Sequence, residues 1–165
     1  MALKADRHEE STDISYFYNA GTATRGGVVC LDAAALAGAS GAALDQGENL
    51  VSYQTPTATD VPIGILLNDV VNKDLTRTHL NQFKDEVQKG GKVTLMTRGW
   101  VVTSKITGTP KAGDMAYAST TGTIAPTVLA AGSGQLAIGR FMSRKDADGY
   151  AKVHVNLPGT SVNLA

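Results

Sequence analysis

The chain has 165 residues and a mass of 17.1 kDa, room for one ordinary hydrophobic core and an extended segment. Its 15 Lys and Arg residues balance 15 Asp and Glu residues, so it lacks the basic excess of a nucleic-acid binder and has little net charge to keep copies apart. Charged residues make up 18% of the chain, low for a small monomer, which leaves two readings open: a surface rich in Thr, Ser and Asn, or one covered by a partner.

Residues 1–25 are polar, carry Arg7-His8-Glu9-Glu10-Ser11-Thr12-Asp13, and are expected to form an N-terminal arm. No signal-peptide core follows Met1, and no apolar run reaches the roughly 20 residues needed to cross a bilayer. The chain is therefore expected to be made and kept in a cytoplasm, or to leave it by lysis. Within the arm, Ile14-Ser15-Tyr16-Phe17-Tyr18 is rich in β-formers. It fits an extended strand that adds either to another subunit's sheet edge or to the chain's own domain.

Residues 26–158 are expected to form the folded domain. Arg25 to Asp32 reads as its first core strand, and Cys30, the one cysteine, as a small core residue with no disulfide partner. Ala33 to Gly47 reads as a loop with one helical turn, because Gly38 and Gly41 disfavour a helix. Leu50 to Gln54 is a short strand, Pro56 to Pro62 a turn region, and Ile63 to Val71 an apolar run typical of a strand buried on both faces. Asn72 to Gly91 is the longest polar insertion. There Leu80, Phe83 and Val87 stand near helical spacing behind a potential cap, Asp74, which fits a short helix or an ordered loop.

Lys92 to Thr103 carries the strongest β signal, with Gly99 marking a bulge or a hairpin bend and Trp100 a core or interface anchor. Gly108 to Asp114, Thr120 to Thr123 and Ala130 to Gly134 are turns. A final hairpin passes through Asp146-Ala147-Asp148-Gly149, where Asp-Gly predicts a type I′ turn. In its return strand Val153, Val155 and Leu157 face one way and Lys152, His154 and Asn156 the other. Residues 159–165 are a short polar tail.

One device occurs twice. Gly27-Val28-Val29-Cys30-Leu31-Asp32 leads to Val61-Pro62-Ile63-Gly64-Ile65-Leu66-Leu67, and Gly113-Asp114-Met115-Ala116-Tyr117-Ala118 leads to Leu136-Ala137-Ile138-Gly139-Arg140-Phe141-Met142. Both an internal duplication and convergence on a short-strand vocabulary account for it. With turns recurring through the second half, the fold class is mainly β: a compact β-barrel or sandwich.

Chemistry finds little support in the residues. His8, His79 and His154 are scattered without metal-ligand spacing. The calcium-loop likeness around Asp146 fails because the first and twelfth ligand positions hold Arg144 and Val155. Cys30 lies among Val29 and Leu31 rather than beside an activating base, no Gly-x-Ser-x-Gly elbow occurs, and Gly90-Gly91-Lys92 lacks the rest of a phosphate loop. Asp85-Glu86 reads as a solvated charged face. No enzyme, cofactor or metal is expected.

Pro62-Ile63-Gly64-Ile65-Leu66-Leu67-Asn68-Asp69-Val70-Val71, then Glu86-Val87-Gln88-Lys89-Gly90-Gly91-Lys92-Val93, Arg98-Gly99-Trp100-Val101-Val102-Thr103, Ala112-Gly113-Asp114-Met115-Ala116-Tyr117 and Ala137-Ile138-Gly139-Arg140-Phe141 stand in an order that resembles the head decoration, or capsid cement, proteins of tailed bacteriophages. The likeness spans roughly Arg25 to Leu157. It implies a small β-barrel or β-tulip domain on the outside of the mature head. There it would bind the major capsid protein and itself, commonly as a homotrimer at three-fold and quasi-three-fold positions. It implies no cofactor and no catalysis, and the charge balance and the lack of a long apolar run lead to the expectation of no direct contact with nucleic acid or membrane. On this reading Ile14, Tyr16, Phe17, Tyr18 and Trp100 are the candidate contacts with the shell or a sister copy. The alternatives are another virion component, such as a head–tail connector or tail-tube subunit, and a small ligand-binding β-barrel.

Overall fold

The computed structural model describes residues 2–18, 20–31, 49–53, 61–73, 76, 85–128 and 136–157. Twelve strands lie within them: β1 (Leu3–Asp13), β2 (Phe17–Tyr18), β3 (Val28–Leu31), β4 (Leu50–Ser52), β5 (Pro62–Leu66), β6 (Asp69–Val71), β7 (Glu86–Gln88), β8 (Leu95–Thr103), β9 (Met115–Ala118), β10 (Ile124–Ala125), β11 (Ala137–Phe141) and β12 (Ala151–Asn156). The protein is mainly β, as its turn spacing predicts. Nine strands form one path in the order β10-β9-β11-β12-β8-β5-β3-β4-β2, β1 pairs with β8 off that path, and β6-β7 form a separate parallel pair. Among the described residues no ladder joins the end strands β10 and β2.

Strand β8 is the spine. One of its edges carries β12 from Arg98 to Thr103 and then β5 at Leu95 and Met96, while β1 runs antiparallel along the other edge. The repeated Gly-led device appears as two antiparallel pairs, one joined to the spine through β5 and the other through β12. Val29 stands opposite Gly64 in β3–β5, and Ala116 opposite Gly139 in β9–β11. Both Ile-Gly glycines sit where a neighbouring strand presses close. A Cβ on Gly64 would lie 2.9 Å from Leu95 Cβ, and one on Gly139 would collide with the His154 carbonyl.

Period-two alternation, reset in β11 by the irregularity between Ala137 and Gly139, sorts the side chains into two cores. Val101, Val153, Val155, Ile138 and Phe141 point into the larger one, built on β8, β9, β11 and β12. Strands β3 and β5 are apolar on both faces because they divide the cores: Val28, Cys30 and Ile65 face the larger, Val29 and Leu66 the smaller with Tyr18, Val51, Val70 and Leu95. Cys30 is buried, as its apolar neighbours predict.

Several expectations change in detail. The apolar run from Ile63 to Val71 is two strands, because Asn68 turns the chain: its Oδ1 accepts the Thr94 N–H at 2.7 Å, and the next residue, Asp69, accepts the Arg25 N–H. Val87 is a β7 residue paired with Val70, not part of a helix. Gly99 lies within a continuous β8 rather than at a hairpin bend, and the register with β1 slips on its Arg98 side, where Glu10 is extra in β1 and Thr97 is extra in β8. In the last hairpin Gly149 has a positive φ but Asp148 does not, which excludes type I′. The Gly149 N–H instead bonds the Asp146 carbonyl, and the Asp146 N–H the Tyr150 carbonyl, a turn closed by a left-handed glycine.

The segment expected as an arm is extended, with Leu3–Asp13 lying along β8 of its own domain and strand character at Ile14–Tyr18 confined to β2. The expectations for Ala33 to Gly47, Pro56 to Asp60, Leu80, Phe83, Ala130 to Gly134 and residues 159–165 lie outside the described residues.

Candidate functional site

The outward face of the spine gathers the most distinctive side chains. Cross-strand partners point to the same side of a sheet, so register alone puts His8, Trp100, His154 and Arg140 in one row across β1, β8, β12 and β11. The next rows hold Arg98 opposite Asn156 and Val102 opposite Lys152. Met142, two residues beyond Arg140, is 55% exposed on the same side.

Trp100 is half-buried at the centre. The Lys152 ammonium stands 3.4 Å over its ring, and His8 stacks at 6.4 Å between ring centroids. Arg98 and Arg140 are exposed and anchored, Arg98 Nε donating to Asn156 Oδ1 at 3.0 Å and Arg140 Nη1 to the Gly113 carbonyl at 3.0 Å. Strands β8, β11 and β12 contain no Asp or Glu at all. An aromatic, basic surface results on a chain with no net charge.

The other candidate contacts are dispersed. Ile14 is 63% exposed in the link between β1 and β2. Tyr16 packs against the smaller core, and burial, with Asp13 nearby, pushes its hydroxyl pKa up. Phe17 is half-buried with the Lys92 ammonium 5.6 Å from its ring centroid. Tyr18 is a core residue, edge-on to Tyr53. Thus Ile14 and Trp100 face outward while Tyr18 holds β2 in place.

A concavity of about 700 Å³ lies elsewhere, its lining including Tyr18, Thr24, Tyr53, Asp69, Glu86 and Lys105. Its half-buried tyrosine, Tyr53, is committed to the fold. The Tyr53 hydroxyl donates to the Thr24 carbonyl at 2.6 Å and accepts the Gly27 N–H at 3.1 Å, and burial pushes its pKa far up, so it stays protonated. The carboxylates nearby serve Arg25, which pairs with Asp69 and with Asp85 at 2.7 Å. Among the described residues no group of three His, Cys, Asp or Glu side chains could hold a metal ion, and no helix is long and apolar enough to cross a membrane.

The model of the structural cement protein family (E217 gp24/Pam3 gp6) matches residues 10–156. The chain belongs to this family. It is a structural protein of the phage capsid, and the match covers nearly all of the β domain, outward face included. No curated protein matches the chain.

Sequence reasoning singles out Trp100 on this face but misses Arg98, Arg140 and Lys152 beside it. The alternation of Lys152, His154 and Asn156 marks them as outward. What periodicity does not carry is which strands flank β12, and so which residues complete the surface.

Proposed function

We propose that this cement protein binds the outer surface of the mature capsid, through the major capsid protein and sister copies, and stabilises it against the outward pressure of packed DNA. It acts as a trimer at three-fold and quasi-three-fold positions and needs no cofactor and no catalytic step. Family membership over residues 10–156 is the observation that carries this reading. The rigid two-core β domain and the near-zero net charge support it, since such a body resists deformation and does not repel its copies.

A clamp that spans shell subunits raises the cost of separating them. A stable contact buries on the order of 1,600 Å². Around a symmetry axis several contacts act together, so modest single affinities multiply. Ile14 and Trp100, and separately Tyr16 and Phe17, contribute to these contacts.

The test is co-sedimentation of the purified chain with expanded, undecorated heads, followed by heating. Saturation at hundreds of copies per head, with greater heat resistance, is expected. Ring-sized numbers would instead indicate a connector, and no binding would remove the shell-binding role.

A further inference from the structure

The cations of the outward face have no acids of their own. Among the described residues, no carboxylate lies within ion-pair distance of Arg98, Arg140 or Lys152. The acids within the strands around this face are Asp6, Glu9, Glu10 and Asp13 of the edge strand β1, of which Glu9 is engaged by Arg7. Asp114, next to the Gly113 that Arg140 bonds, accepts the Lys111 N–H. Three cations thus share one face with a single tryptophan, Lys152 directly over its ring, and the exposed Met142 lies on the same side. Trp, Met and Arg are the residue types enriched where a protein surface is buried by another protein, whereas solvated surfaces favour Lys and Glu.

We infer that the outward face of β8, β12 and β11, centred on Trp100, docks on a carboxylate-rich protein surface of the capsid shell. The proposal rests on the shell-binding reading above and adds the face and the chemistry of its partner. Trp100 and Met142 supply the apolar centre. Arg98 and Arg140, held in place by Asn156 and the Gly113 carbonyl, present guanidinium groups whose fork geometry suits carboxylates. A duplex of nucleic acid is a poorer fit. Specific binders neutralise about 6–10 phosphates, and this face offers three permanent charges around an apolar centre.

The test uses the full-length protein with charge reversal at two exposed positions, R98E/R140E, and K89E as a control on the β7 side. Circular dichroism and thermal melting first establish that each variant is folded. Binding to expanded, undecorated heads is then titrated at two salt concentrations. Sedimentation velocity follows self-association, and anisotropy of a short labelled DNA duplex follows nucleic-acid binding.

The expected result is wild-type binding that weakens with salt, K89E close to wild type, and R98E/R140E weaker by about 100-fold or more, as for the loss of two central arginine anchors. The W100A variant, whose fold rests on the buried Val101 side of β8, should weaken binding without changing the salt dependence. Wild-type-like binding by folded R98E/R140E would overturn the proposal while leaving the shell-binding reading intact. Loss of self-association with head binding retained would make the face a copy–copy interface and overturn it too. Duplex binding that depends on the two arginines would overturn it in favour of nucleic acid. Failure of the wild type to bind heads would remove both the proposal and the reading beneath it.

Discussion

At the scale of single residues, two positions carry unusual demands. Gly99 has φ 135°, and a Cβ there would collide with the His8 carbonyl of β1, so the strand-to-strand approach requires glycine. Replacing Gly99 with Ala is expected to cost about 1–3 kcal/mol. The melting temperature should fall by several degrees in calorimetry, and amide protection along β1 should fall with it; an unchanged melt would contradict the close approach. Asp146 presents the opposite case, an exposed carboxylate tied to the backbone. Its oxygens accept the Tyr150 N–H at 2.7 Å, the Lys4 ammonium at 3.3 Å and the Asp148 N–H at 3.1 Å. The Tyr150 N–H does most to hold its pKa below the usual carboxylate value; desolvation opposes it, and Lys4 and then Asp148 add to the lowering. A depressed folded-state pKa gives stability that is present above the unfolded pKa and lost as pH falls through the folded one. The melting difference between wild type and Asp146→Asn at neutral pH should therefore close below about pH 4. A gap that persists at pH 2 would show that the charge is not its source.

At the scale of elements, β1 is the least committed strand. Of its 11 residues only Leu3 is buried, and the rest is held by the ladder to β8. Removing residues 2–13 deletes one core side chain, about 1.5–3 kcal/mol of burial, and exposes the β8 edge. The truncated protein is expected to fold with its β12–β8–β5 centre intact, to self-associate more readily, and to bind heads more weakly. A chain that fails to fold would show that β1 is integral to the core. Removal through residue 20 should be more damaging, because Tyr18 belongs to the smaller core. Elements also show where periodicity misleads. The stretch from Ile63 to Val71 reads as one strand because apolar residues flank Asn68-Asp69 on both sides. The side chain of Asn68, through its bonds to distant Thr94 and Asp85, breaks it into β5 and β6.

At the scale of the whole molecule, strands remote in sequence lie side by side: β1 on β8, β8 on β12, β5 on β8. Closing such loops precedes any gain from the contacts, so folding is expected in the range of roughly milliseconds to seconds. Trp100, the one tryptophan, half-exposed beneath Lys152, reports it by stopped-flow fluorescence. Folding in microseconds would be inconsistent with this topology.

The sequence by itself determined the mainly β class, the positions of most strands, the buried face of β12, the core place of Cys30 and the hairpin between β11 and β12. All of these follow from local alternation and turn chemistry, which neighbouring residues encode. Only the tertiary structure decided that residues 3–13 lie on β8, that Tyr18 turns inward, and that Arg98, Arg140 and Lys152 share one face with Trp100. Those outcomes depend on which strands become neighbours and in what register. Register is chosen by burial in two cores at once and by backbone hydrogen bonds to residues as far apart as Leu3 and Thr103, and no local pattern records that choice.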